Sequence, residues 1–276
     1  MKKLILSTAM ALVLTACGSA GNSNSADKIK SGKVEGVLLA YDLQNPVKKQ
    51  SEDPAGNITE YDDYVLKMTR LSKNKDINSI KINSIDVQLL PDGYDKQENY
   101  EKQATYYDEN AVGGPQPKGQ VLCTAVSGKK YKYVRFGVHN AYVYDSSKPN
   151  PHAKDPELGM FVQGYITTNM PTKATSDPVV YIGDAYGGAR ALTKGKSEIK
   201  VNFKDKTLAG TLFDWNDYKF VDKKTPIIHF NANIKENKFE GENVQGAFFG
   251  DKAAEVGGIY YNKQKNEGAV FGAKKQ

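Results

Sequence analysis

The feature that most constrains the fold is a rhythm of short β-rich stretches broken by glycine and proline. From Val34 onward, segments that alternate apolar and polar residues are separated by turn formers such as Gly113-Gly114-Pro115. No window keeps an apolar period of 3.6 residues through three turns, so the pattern excludes a helical core. We therefore predict an all-β chain, in which Asp92–Lys102 is the only stretch compatible with a short helix.

The strand pattern divides the chain into two parts. Asp145–Leu158 (DSSKPNPHAKDPEL) contains three prolines and predicts a stiff, exposed connection. Before it, Ile58–Leu71 is expected to form one long strand or two, and Ser79–Leu90 alternates with a bulge or turn at Asn83-Ser84. After it, eight or nine short strands are expected, the first at Gly159–Thr168. Strands at intervals of roughly 8–12 residues are what a small closed antiparallel barrel requires.

The first residues match a bacterial lipoprotein export signal. Leu4–Leu14 is apolar but too short to cross a bilayer of roughly 30 Å, and Leu14-Thr15-Ala16-Cys17 matches the lipobox of the lipoprotein signal peptidase. We predict that residues 1–16 are a signal peptide and that Cys17 carries the lipid. Gly18 fits the outer-membrane sorting pattern, which predicts an outer-membrane lipoprotein. Residues 17–33 are rich in Gly, Ser and Asn, as is typical of a flexible linker.

Composition excludes several kinds of site. Two cysteines and three histidines are too few for a disulfide framework, a four-cysteine zinc site or most multi-histidine metal centres. The net charge of +6 is spread along the chain, whereas a nucleic-acid binder concentrates its basic residues, so no nucleic-acid partner is expected. No nucleophile elbow or phosphate-binding βαβ unit is present. We therefore predict a protein that is not an enzyme, with neither catalytic residues nor a metal site.

Several motifs in the C-terminal part are shared with one family. Gly246–Gly258 (GAFFGDKAAEVGG) contains glycines that allow two strands to turn sharply, and Glu255 is expected to bond the backbone of that turn. With the terminal Val270–Lys274 (VFGAK), this run resembles the β-barrel domain of transferrin-binding protein B. The resemblance covers about Gly159–Gln276. It implies an eight-stranded antiparallel β-barrel at residues 159–276, preceded by a β handle domain at residues 34–158.

The resemblance also implies a function. Single-lobe relatives include surface lipoproteins that bind haemoglobin, carry haem or bind complement factor H. We therefore expect a surface-exposed outer-membrane lipoprotein that binds a host macromolecule. Three functions stay open at this point. One is an iron-acquisition receptor for haemoglobin, haem or another host iron carrier, working with a TonB-dependent receptor. Another is an immune-evasion protein that binds factor H or a similar complement regulator. The third is a structural or adhesion lipoprotein.

The partner is expected to contact exposed loops, because barrel and handle interiors must be filled to be stable. Three stretches with aromatic or basic side chains qualify: Glu109–Lys118, Asp145–Glu157 and Asp214–Lys224. Within them, the candidate partner-binding residues are His152, Trp215, Tyr218 and Phe220. For Trp215 the alternative is a ring packed at the barrel rim.

Haem is the one cofactor-like ligand that the sequence suggests, and no other cofactor is expected. A haem iron needs an axial ligand at the mouth of an apolar pocket, which His152 on a loop or a tyrosine could supply. The alternative for His152 is a solvated loop histidine with no ligand. His139 and His229 lie in expected strands, which favours structural roles for both.

Overall fold

In the computed structural model, the residues described are 33–42, 44–52, 54–63, 65–74, 76–82, 84–108, 116–144, 154–172, 177–187, 193–216, 227–265 and 267–276. Apart from one 3-10 turn at Asp251–Ala253, the regular structure of these ranges is all β. Across the same ranges, no helix has the length and apolar character needed to cross a lipid bilayer. The strands are β1 (Val34–Tyr41), β2 (Val47–Glu52), β3 (Ile58–Asp63), β4 (Leu66–Asn74), β5 (Ser79–Ile82), β6 (Ile85–Gln88), β7 (Tyr100–Asp108), β8 (Gln116–Val126), β9 (Val134–Tyr144), β10 (Lys154–Tyr165), β11 (Val179–Gly187), β12 (Thr193–Asn202), β13 (Thr207–Asn216), β14 (Ile228–Lys235), β15 (Lys238–Glu240), β16 (Val244–Phe249), β17 (Glu255–Asn262) and β18 (Glu267–Lys275).

Six strands form an open antiparallel sheet in the order β4–β1–β10–β9–β8–β7. The strand β1 lies inside this sheet, with seven Cα pairs to β10 on one side and seven to β4 on the other. Its residues Val37–Ala40 are all buried, because both faces of the sheet are covered at this point. The barrel covers one face, and the hairpin β5–β6 covers the other.

The strands β11 to β18 form a closed eight-stranded barrel, which confirms the expected architecture. Closure is made by β11 and β18, whose register pairs Tyr181 with Lys275. Along β12 every second residue is buried, which is the period of a strand with one face toward the core. The interior is filled by side chains, and full burial of each large one contributes roughly 1.5–3 kcal/mol. Its largest fully buried members are Tyr181, Phe239, Phe248 and Phe271.

A second core joins the sheet to the barrel. Phe136 and Val162 from the sheet pack with Tyr186, Phe249 and Ile259 from the outer wall of the barrel. At the same interface, a Cβ on Gly272 would lie 2.2 Å from the Phe136 ring, so glycine is required where the ring approaches the strand. The sheet and barrel therefore share buried apolar surface.

The expected position of the first barrel strand was wrong. Gly159–Thr168 was predicted to begin the barrel, but Gly159–Tyr165 belongs to β10, which pairs with β1 and β9 inside the open sheet. The physical reason is that both edges of β10 find partners in the sheet, and its residues from Gly159 to Gly164 are buried between the barrel and the hairpin. The barrel itself starts at Val179. Part of the expected exposed connection, from Lys154 onward, is also strand.

Three smaller expectations have definite outcomes. Ile58–Leu71 contains two strands, β3 and the first part of β4. The slip expected at Asn83-Ser84 is a hairpin turn between β5 and β6, where Ser84 has a φ of 72°. The segment Asp92–Lys102 holds no helix, because it consists of turns followed by the start of β7.

Candidate partner-binding end

The strands give the molecule two opposite ends. At one end Lys33 leads into β1, and the backbone N–H of Ile166 donates to its carbonyl oxygen at 3.5 Å. Three turns lie at this same end: the β8–β9 turn (residues 127–133), the barrel turn 203–206 and residues 250–254. The two barrel turns are placed there by the pairings of Val179 with Val201 and of Glu255 with Lys274. We name it the tether end. The opposite end, where β1 finishes at Tyr41, is named the loop end.

All three stretches chosen from the sequence begin and finish at the loop end. The strands β7, β9 and β13 end there, and the strands β8, β10 and β14 that follow them begin there. The sheet and barrel are aligned, because Gly268 at the loop end of the barrel faces the side chains of Leu39 and Met160. Glu109–Lys118, Asp145–Glu157 and Asp214–Lys224 therefore connect strands at one common end, although most of their residues lie outside the described ranges.

The hairpin β2–β3 is a feature of the loop end that the sequence analysis did not select. It is inserted between β1 and β4, where Tyr41 pairs with Leu66, and within the described ranges its two strands pair with each other and with no further strand. Its side chains from Val47 to Glu52 and from Ile58 to Glu60 are exposed, with Ile58 65% exposed. A two-stranded hairpin without a covering layer is marginally stable in water. The sequence of β2, VKKQSE, has no apolar face, and this pattern indicates a strand that is not covered by a second layer.

Trp215 packs into the mouth of the barrel. Its ring is partly buried against the barrel core, and a Cβ on Gly195 would lie 2.6 Å from a ring atom. Asp214 has a φ of 53°, and the register shifts between Lys194 and Lys196, so the backbone turns this side chain inward. The indole Nε1 is buried and has no hydrogen-bond partner among the described residues. This placement favours the rim-packed interpretation over the interface anchor.

The other candidate residues have different positions. Cys17, His152, Tyr218 and Phe220 lie outside the described residues, so their roles stay predictions. His139 is buried in β9, with its Nδ1 3.0 Å from the Thr124 hydroxyl. His229 lies exposed on β14, with its Nδ1 3.2 Å from the Thr211 hydroxyl.

Histidine, cysteine and carboxylate side chains do not gather into a metal-binding group within the described part of the chain. The haem expectation named His152, which lies outside the described residues, or a tyrosine as the axial ligand, and it stays a prediction. The barrel interior offers haem no space, because aromatic rings in contact fill it. Phe230 and Phe271, for example, have centroids 5.1 Å apart.

A polar cluster around Asp184 joins the barrel wall to the sheet. The carboxylate accepts the Tyr131 hydroxyl at 3.1 Å, and it pairs with the ammonium groups of Lys130 and, at 3.2 Å, Lys196. Burial raises the pKa of Asp184, but the two ammonium groups outweigh burial and hold that pKa below its ordinary value. The charge is therefore retained inside the interface.

A second polar contact is made by Glu255, which is 1% exposed. Its two carboxylate oxygens accept the consecutive backbone N–H groups of Lys132, Tyr133 and Val134 at 2.8, 2.8 and 2.9 Å. These donors lie in the β8–β9 turn and the start of β9, so the carboxylate binds the sheet rather than the turn of its own motif. Burial raises the pKa of Glu255, while the three donors act in the opposite direction. Together, Asp184 and Glu255 bind the barrel to the β8–β9 turn of the sheet.

The amino-acid sequence of the barrel matches a known protein family. Residues 163–275 match the family model described as the C-lobe and N-lobe β-barrels of transferrin-binding protein B. The barrel belongs to this family. Within the match, the transferrin-binding protein B motif Gly246–Gly258 supplies Glu255 and the strand pair β16–β17.

Full-length relatives extend the similarity to the sheet. Transferrin-binding protein B of Neisseria meningitidis serogroup B is 26% identical over 291 residues, which cover 87% of this chain and 43% of the relative. The protein of the same name from Haemophilus influenzae is 27% identical over 206 residues, or 54% of this chain and 31% of the relative. The chain spans less than half the length of these curated relatives.

Two solved structures are also similar. The isotype 1 transferrin-binding protein B of serogroup B Neisseria meningitidis aligns with a TM-score of 0.48 at 20% identity, covering 88% of this chain and 43% of that one. A double mutant of transferrin-binding protein B from Haemophilus parasuis aligns with a TM-score of 0.49 at 19% identity, covering 88% and 45%.

Proposed function

We propose that this protein is a surface-exposed lipoprotein of the outer membrane that captures a host iron carrier with its loop end. Cys17 would hold the lipid, and the residues that follow it would link the folded part to the membrane. The captured molecule would be a protein such as transferrin or haemoglobin, or haem itself, and a TonB-dependent receptor would accept the iron or haem. The protein would act by binding and not as an enzyme.

The observation that carries the proposal is the match of the barrel to those of transferrin-binding protein B. The relatives that align with this chain are named for binding transferrin. The arrangement of the two ends supports the same function, because the chain enters at the tether end while the connections β7–β8, β9–β10 and β13–β14 lie at the loop end. A receptor on a short linker needs its binding surface on the side away from the membrane.

The experiment is a direct binding measurement with the soluble form Val34–Gln276. The protein is immobilised and exposed separately to transferrin, lactoferrin, haemoglobin, haemoglobin–haptoglobin, haem and factor H. We expect saturable binding of one iron carrier or of haem. Binding of factor H alone would establish the alternative function, and binding of none of these ligands would overturn the proposal.

A pair of matched variants tests whether the loop end makes the contact. In the first, Tyr218 and Phe220 are both changed to serine. In the control, Lys204 and Lys206 in the barrel turn at the tether end are changed to serine. Aromatic anchors at an interface contribute about 2 kcal/mol or more each, and about 2 kcal/mol corresponds to roughly thirtyfold, so the loop-end variant should bind at least thirtyfold more weakly. Equal binding by both variants would show that this loop is not part of the interface.

A further inference from the structure

A basic cleft lies at the tether end, where the barrel meets the sheet. The cleft has a volume of about 490 Å³ and includes Tyr133, Asp251 and Glu255 in its lining. The lining also contains four lysines from three separate segments, and all four are exposed: Lys132, Lys252, Lys274 and Lys275.

The cleft carries more cationic than anionic side chains, with four lysines against the carboxylates of Asp251 and Glu255. Among the described residues, none of its four ammonium groups forms an ion pair, and that of Lys132 lies 5.4 Å from the centre of the Tyr133 ring. The two carboxylates of the lining offset part of this positive charge, and the Lys274 ammonium group interacts electrostatically with Glu255. Asp251 accepts the side-chain amide of Asn169, and Glu255 is buried under three backbone N–H groups. The cleft therefore presents a surplus of cations to its surroundings.

The position of the cleft matches the point where the chain enters the fold. The carbonyl oxygen of Lys33 bonds to Ile166, which forms a β-bridge with Phe249, three residues before Lys252. Gly18–Gly32 separates the expected lipid site Cys17 from Lys33. A Gly- and Ser-rich segment of this length has a typical reach of roughly 20 Å, which keeps the tether end close to the surface that holds the lipid.

We propose that the tether end is a membrane-docking face, on which the lysines of this cleft contact the phosphate groups of lipid A in the outer leaflet. This inference rests on the proposed function, since it requires the protein to stand on the cell surface. Lysine suits the contact because its ammonium group is a compact charge on a long apolar stem that reaches the headgroups. The attraction falls off within a Debye length of about 8 Å at physiological salt, so only residues at the tether end can contribute.

Docking of this face would have a functional consequence. Without it, the folded part would rotate freely on its linker and present the loop end in all directions. With the tether end on the membrane, the loop end points away from it. A lysine near an anionic surface strengthens binding roughly fivefold, so four lysines on one face are enough to bias the orientation.

The test uses the soluble form Val34–Gln276, which lacks the lipid site, and vesicles of phosphatidylcholine with or without lipid A. Co-sedimentation at low salt should show binding to lipid A vesicles and not to pure phosphatidylcholine, and salt should weaken it. The variant with Lys132, Lys252, Lys274 and Lys275 changed to glutamine should bind at least tenfold more weakly. The matched control removes the same charge from the loop end, by changing Lys48, Lys49, Lys263 and Lys265 to glutamine, and should keep at least half of the binding.

Each outcome decides the inference. Equal binding by the parent and the tether-end variant, or an equal loss in the control, would overturn it. If the fourfold variant fails to melt cooperatively, the Lys132→Gln, Lys252→Gln double variant, which changes no strand residue, replaces it with an expected loss of at least fivefold. The same preparations are assayed for iron-carrier binding in solution. Carrier binding without lipid A binding refutes only the docking face, and the reverse result refutes only the proposed receptor function.

Discussion

Glu255 provides the sharpest test of how the sheet and barrel are held together. Its carboxylate accepts three backbone N–H groups, of which that of Val134 is buried and the other two are half-buried. Truncation in Glu255→Ala leaves all three without an acceptor. An unpaired buried donor costs about 1–3 kcal/mol, and relief from burying the charge offsets part of the total. We expect the free energy of unfolding to fall by roughly 3 kcal/mol.

The assay is urea and thermal unfolding of Val34–Gln276, combined with amide hydrogen exchange. A loss of about 3 kcal/mol corresponds to a decrease of roughly 6–12 °C in Tm for a domain of this size. The amides of Tyr133 and Val134 should lose protection before the barrel strands do. Glu255→Gln keeps the volume but places an amide donor against one of the N–H groups, so its loss should be smaller, about 1–2 kcal/mol.

Glu240 provides the matched control. It is a strand carboxylate of the barrel with its side chain 65% exposed, and Glu240→Ala should change stability by no more than about 0.5 kcal/mol. If Glu255→Ala costs no more than this control, or if Tyr133 and Val134 keep their protection, the carboxylate does not hold the sheet on the barrel.

Three other predictions concern single side chains. Asp184 has a pKa below its ordinary value of 3.8, so the stability that it contributes is present above that value and is lost as the pH falls through the lower folded-state pKa. Asp184→Asn should therefore be less stable at neutral pH and should lose less stability on acidification below about pH 4, as measured by urea unfolding at each pH. Trp215→Ala should lower the free energy of unfolding by about 3 kcal/mol and leave partner binding of the folded fraction unchanged, whereas lost binding at unchanged stability would support the interface anchor. Cys17→Ala in the full chain should abolish membrane association, and normal recovery of the variant in the outer membrane would contradict the lipobox prediction.

The all-β class and the barrel could be predicted because their determinants are local. Alternation along β12 and β14, and the glycines of Gly246–Gly258, act within a few residues of each other. The place of β10 could not be predicted in this way. Its apolar stretch has the same composition as a barrel strand, and only its long-range pairing with β1 and β9 decides to which sheet it belongs.

The site was predictable only in part, for a similar reason. The three loop stretches were selected from composition, and strand direction then brought their ends to one side. Trp215 was ambiguous because its neighbours in the sequence are polar, while its contacts come from Gly187 and Gly195 on two other strands. The partners of Glu255 lie more than 120 positions earlier in the chain, and no pattern in the motif indicates them.

The position of β1 determines how the protein bears mechanical load. A partner pulled away from the loop end, with the chain held at Lys33, would stretch the molecule along its strands. β1 would then be loaded in shear, and its backbone hydrogen bonds to β4 and β10 would resist together instead of opening one after another. β1 is the first strand after the linker, and it is paired with both neighbours through seven Cα pairs on each side. Traction on a captured ligand is therefore carried by a strand that is paired on both sides, and not by an edge strand whose hydrogen bonds could open one at a time.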